Sequence, residues 1–272
     1  DLPGHDAVLA AAIARGPVVT SFSLTDQQNA LTPVAKAPVT SRGGPLADYV
    51  PIRAGMSPSL KSLEDAASGN GADTLSSGLG NDDIIRQVPL LERISTTIVP
   101  GLALEAVRVA ENARGILAIV ARPDADLSFG RRPGLQRIVV GSKEFPTDAD
   151  GGLWLHYTDA APTRSLPAWK VLSRHPDATR LKDAIVFVTA TVRGSEAFVT
   201  SPLGDMPRVE AHAQAMEQML LGHYLWRPDW AQPAEQVYLL ITGAILLTLL
   251  IVVGTLWAAL FGIVAIAGAF WG

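Results

Sequence analysis

Cysteine is absent from the chain. That excludes disulfides, thiolate metal sites and cysteine nucleophiles, and it leaves the compartment open. Charge is also scarce: Asp, Glu, Lys and Arg make up 18% of the residues, against about 25% in ordinary soluble domains. The scarcity is local. From Val237 to Gly272 there is no Asp, Glu, Lys, Arg or His. A basic excess is lacking too, since the net charge is −4. Nucleic acid is therefore not an expected partner, because binding it needs a patch that neutralises phosphates. No Gly-x-Ser-x-Gly stretch occurs, so nothing specific favours a hydrolase. The chain opens on "DLPGHDAVLAAAIARGPVV", without a signal peptide, and stops inside an apolar run. A piece of a longer protein is the expectation at both ends.

The apolar tail is too long for one span. As a helix it would run about 54 Å, against a hydrocarbon core of about 30 Å. Gly254 and Thr255 lie near its middle. Two transmembrane helices, Val237–Val253 and Leu256–Gly272, joined by a tight turn, are expected. Trp226, Trp230 and Tyr238 stand at the entry, and Trp257 and Trp271 flank the second helix. Such placement fits aromatic anchoring at a membrane interface. Residues 231–236 read as a linker, after Pro228 and around Pro233.

The first 230 residues read as one α/β domain with a mixed sheet and flanking helices. Helices are expected at His5–Arg15, Ser57–Ala67, from Thr97 or Pro100 through "LALEAVRVAEN", at Ser165–Ser173 and at Arg208–Leu225. "PVVTSF" reads as a buried strand and "IIRQVPLL" as an edge strand or strand end, because it contains a proline. Residues 24–56 read as a long connection. "SGNGADTLSSGLGND" reads as loop with one short strand at most. "GILAIVA", "LQRIVVG" and "GLWLHY" are expected to form an antiparallel meander. "DAIVFVTAT", apolar on both faces, is the strongest strand signal and is expected to be central.

His212, Met216, Met219 and His223 fall on one helix face. The stripe spans about 16 Å and cannot wrap one ion. It reads first as a core stripe. His212 also remains open as a ligand contact or a proton-linked group, since histidine titrates near neutral pH. Asp148 and Asp150 precede Gly151-Gly152. They read as a turn rather than a calcium loop, which needs six or more oxygens. The glycine-rich "GNGADTLSSGLGND" lacks the Lys-Ser/Thr of a phosphate loop. Asp82 and Arg86 form either a structural pair or a ligand clamp.

The order of motifs carries a resemblance. "NDDIIRQVPLL", "VPGLALEAVR", "FPTDADGGLWLHY", "LKDAIVFVTATVRG" and "TSPLGDMPRVEAHAQAMEQMLLGHYLWRPDW" precede the apolar tail. Together they resemble the CHASE2 family over about residues 1–230. The resemblance implies an extracytoplasmic sensor domain at a bacterial cytoplasmic membrane, with residues 1–235 outside. It implies a cytoplasmic adenylate/guanylate cyclase or a histidine or Ser/Thr kinase as effector. Against the family pattern this chain has Asp82-Asp83 for Asp-Gly, Gly101 for Ser, Thr189 for Gly, Ala197 for Asp, Ser201 for Thr and Arg208 for Gly. Either the ligand differs or ligand binding has been lost.

The chain is therefore expected to be a sensory input module without catalytic or metal residues and without a cofactor. A dimerisation or scaffold element is the alternative. Expected partners are a small-molecule or physical stimulus, the lipid bilayer and a second copy in a homodimer. The candidate ligand contacts are Asp82, Arg86, Asp150, Tyr157, Thr191 and His212.

Overall fold

A computed structural model describes residues 4–78, 82–121, 133–159, 164–190, 198–225, 230–252 and 254–271. The chain divides into two units, one built from residues 1–122 and 133–226 and the other containing residues 227–272.

The larger unit opens with helix α1 (His5–Ile13), then strand β1 (Val19–Thr25). The expected long connection holds three short strands, β2 (Val39–Arg42), β3 (Ile52–Arg53) and β4 (Gly55–Ser57). Each has four residues or fewer, too few for a period-2 pattern to register. Helix α2 (Lys61–Ala66) starts later than expected, because Ser57 closes β4. The glycine-rich stretch contributes β5 (Gly69–Ala72). There follow β6 (Gln87–Pro89), β7 (Leu91–Ile94), β8 (Thr97–Pro100) and α3 (Leu102–Ala110). Pro89 closes its strand, as a residue without an N–H should.

Beyond α3 lie β9 (Ile116–Ala121), β10 (Gly134–Val140), β11 (Lys143–Pro146), β12 (Gly152–Trp154) and α4 (Ala168–Leu172). The unit closes with β13 (Phe198–Ser201), β14 (Gly204–Pro207) and α5 (Arg208–Leu221). Gly222, left-handed at φ 73°, ends α5 four residues before the expected stop. A residue without Cβ enters that conformation at little cost.

The described strands form several small sheets instead of the one mixed sheet expected: β4-β1-β5, β11-β10-β9-β2, β12-β6, β13-β14 and β3-β7-β8. The first, second and last contain both parallel and antiparallel pairs. The meander exists, but its third strand is β11. Strand β12 leaves it to pair with β6. The larger correction concerns residues 184–190. They lie in neither a helix nor a strand ladder. Val188 is 92% exposed, and Ile185 and Val186 are each 49% exposed. Strand β5 pairs with β1.

Glycine explains how β5 gains its place. A Cβ at Gly71 would lie 2.7 Å from the Cα of Leu102, so only glycine lets α3 approach this closely. On that side the Asn70 N–H donates to Glu105 Oε1 at 3.3 Å. Glu105 also accepts two bonds from Arg108, at 2.7 and 2.8 Å. Arg108 donates onward to the carbonyls of Ser68 and Ala113. A buried ion pair is tolerable when its hydrogen-bonding capacity is met in this way.

The main core collects Leu90, Leu91, Leu104, Ile138, Phe145 and Met216, among others. Each large side chain so buried stabilises the fold by about 1.5–3 kcal/mol. Met219 and His212 are buried with them, so those three members of the stripe face the core, whereas His223 is exposed. Helix α5 is also fastened by two glutamines one turn apart. Gln218 accepts from His156 N at 2.9 Å and donates to Trp154 O at 2.7 Å. Gln214 accepts from Thr158 N at 3.0 Å and donates to Thr158 O at 3.2 Å. The side-chain amides thus do for residues 154–158 what a neighbouring strand would do.

The smaller unit holds α6 (Ala231–Val252) and α7 (Thr255–Trp271). Helix α6 is long and apolar enough to cross a membrane. Its first residues, 231–236, are those expected as a linker. Helix α7 is apolar but shorter. The two helices pack together: Tyr238 Oη–H donates to Ala265 O at 2.8 Å, and Gly262 faces Leu246. Gly254, at φ 100°, supplies the turn where the sequence placed it.

Candidate functional site: a groove with one polar end

A groove of about 830 Å³ opens within the larger unit. Val19, Ser21 and Ser23, alternate residues of β1, line one wall. Leu102, Ala106 and Val109 form a second wall, spaced along one face of α3. Ile185 and Phe187 of the unladdered segment form a third. The polar end consists of Asp73, which follows β5, with Arg208 and His212 from the first turns of α5.

Asp73 organises this end with both its backbone and its side chain. Its carbonyl accepts from His212 Nε2 at 3.1 Å and from Arg208 Nη1 at 3.3 Å. Because a carbonyl only accepts, the His212 proton sits on Nε2 and its Nδ1 carries the lone pair. That Nδ1 is buried without a partner. The Asp73 carboxylate accepts from Ser23 Oγ at 3.0 Å. Burial holds this carboxyl above the usual aspartate range, against the pull of Ser23 and of the Arg208 charge. Burial pushes His212 down to about 4, helped by the nearby Arg208 charge and opposed by its bond to Asp73. His212 is thus neutral near pH 7. Proton sensing at neutral pH, open on the sequence, is not available to it.

The other sequence candidates lie elsewhere. Asp82 and Arg86 form a two-pronged pair at 2.6 and 3.0 Å, which lowers the Asp82 pKa and raises that of Arg86. Tyr157 Oη donates to Ile85 O at 3.0 Å, next to Arg86 in sequence, and burial pushes the phenol up to about 12. Asp150 is exposed in a turn that Asp148 builds. Asp148 accepts from Gly152 N at 2.6 Å, from Asp150 N at 3.2 Å and from Gln87 Nε2 at 2.8 Å. Burial raises the Asp148 pKa. Of the described candidates only His212 lines the groove. Thr191 and Ala197 lie outside the described residues.

A model of the CHASE2 domain matches residues 1–253. The chain belongs to the CHASE2 family. CHASE2 domains are extracytoplasmic sensory domains of membrane signalling receptors and are not catalytic. No curated relative and no solved structure matches the chain significantly. In this CHASE2 domain, Thr189 and Arg208 both line the groove. Asp73 escaped the sequence reading because it sits in a glycine-rich stretch without periodicity. The available signal was its place just past the carboxyl end of a parallel strand, where open α/β sheets bind ligands.

Proposed function

We propose that the chain is the extracytoplasmic sensory input module of a bacterial membrane receptor. In this reading residues 1–230 form the sensor, and α6 and α7 both cross the cytoplasmic membrane. The output goes to a cytoplasmic cyclase or protein kinase. The observation that carries the reading concerns α5. Its first turns line the groove, and the chain enters the apolar α6 ten residues after α5 ends. A stimulus held at the groove acts on α5 only if it binds one arrangement of that helix more tightly than another.

The test is made in the full-length receptor. A flexible Gly/Ser stretch inserted within residues 227–236 is expected to disconnect effector output from the stimulus. Output that still tracks the stimulus defeats the mechanism. A second reading, a dimerisation element without sensing, draws on the exposed Ile185, Val186 and Val188. It predicts that deleting the domain abolishes receptor assembly, while the domain's presence confers no stimulus response.

A further inference from the structure

The groove combines three features that together specify a ligand. Its walls offer apolar surface from Val19 on β1, from Leu102, Ala106 and Val109 on α3 and from Phe187 opposite, with Ser21 and Ser23 on β1 between. One side of its polar end is acidic. The Asp73 carboxylate, half-buried, accepts there from Ser23 Oγ at 3.0 Å. The ring of His212 lies against Asp73 with an acceptor, Nδ1, that no donor reaches. Next to it stands a positive group, the Arg208 guanidinium, whose Nη1 donates to the Asp73 carbonyl at 3.3 Å. Arg208 begins α5, a helix of 14 residues whose first turn no side chain caps. Orphan N–H groups and the helix dipole add to the guanidinium charge at such an end.

Asp73 and Arg208 set a negative and a positive group next to each other at this end. A group carrying both charges a few bonds apart satisfies both sides. We infer that the groove binds an apolar α-amino acid, its ammonium toward Asp73 and His212, its carboxylate toward Arg208 and the start of α5, and its side chain along the apolar walls. The ammonium supplies the donor that His212 Nδ1 lacks. The carboxylate gives a ligand direct purchase on α5. The inference rests on the sensory reading above and names the stimulus class for it.

The test uses the full chain in detergent. L-leucine and L-phenylalanine are compared with N-acetyl-L-leucine, which has lost the ammonium, and L-leucinamide, which has lost the carboxylate. The free amino acids are expected to raise the thermal midpoint by about 5 °C or more at a hundred times Kd. Each blocked analogue is expected to bind at least tenfold more weakly. Arg208→Gln is expected to weaken L-leucine at least tenfold, and Asp73→Asn likewise. Equilibrium dialysis of the unaltered chain with radiolabelled L-leucine needs no variant. Absence of saturable binding there overturns the inference, and so do blocked analogues that bind as well as the free amino acids. If the Gly/Ser insertion uncouples the receptor while leucine fails to bind, the ligand class falls and the sensory reading stands.

Discussion

His212 donates its Nε2 proton to the backbone carbonyl of Asp73 across 3.1 Å, joining the second turn of α5 to the end of β5. The contact fixes the tautomer of a ring that is 1% exposed. It also ties a helix expected from the sequence to a strand that composition disguised.

Burial of that ring, against the pull of its bond to Asp73, sets a pH dependence. The folded pKa of His212, about 4, lies below its ordinary value of 6.5. The unfolded chain therefore takes up a proton first as pH falls. The stabilisation is fully present above about pH 6.5 and drains away between there and about pH 4. Relative to His212→Gln, the natural chain should lose about 2 kcal/mol of stability between pH 7 and pH 5. Urea unfolding in detergent at the two pH values measures this. Parallel slopes for the two proteins would refute it. The raised Asp73 pKa works in the opposite direction, toward stability at lower pH, and is common to both proteins.

Glu105→Ala removes the acceptor for Asn70 N and leaves Arg108 buried without its carboxylate. A loss of about 3–5 kcal/mol is expected. The double change Glu105→Leu with Arg108→Met should recover much of it, since no charge is then stranded. Asp82→Asn is the contrasting case. Its pair with Arg86 stands in solvent, and the unfolding midpoint should not move beyond measurement error.

Gly101 stands just before the first residue of α3. A Cβ there would lie 2.4 Å from the Pro89 carbonyl oxygen, and the Gly101 N–H donates to Leu90 O at 2.9 Å. Gly101→Ser is therefore expected to destabilise the chain by about 1–3 kcal/mol, read from the chemical unfolding midpoint. An unchanged midpoint would mean that β6 yields freely.

Val188→Cys makes a single thiol in a chain that has none. With Val188 at 92% exposure, maleimide labelling should proceed near the rate of a free cysteine. Phe187→Cys, half-buried against the main core, should react more slowly. Equal protection at both positions would restore a central strand here.

Much of the fold was legible because its elements repeat a pattern over enough residues. The α5 stripe, α3 and the β9–β10 hairpin announce themselves through apolar spacing. Strands β2, β3 and β4 are too short to do so. Residues 184–190 failed in the opposite sense. Their apolar run describes a buried strand, yet tertiary pairing gave the neighbourhood of β1 to β4 and β5. Of the site, His212 was visible as part of a stripe. Asp73 was not, because its role depends on a carbonyl meeting a ring 139 positions away.

The glutamine pair on α5 restricts how that helix is able to travel. Gln214 and Gln218 mesh with residues 154–158 through four hydrogen bonds. A small axial slip disengages all four at once. A slip of one turn, about 5.4 Å, brings one glutamine toward the berth vacated by the other and restores part of the set. Axial travel of this helix therefore has detents, and a pull too weak to reach the next one is returned to its starting position.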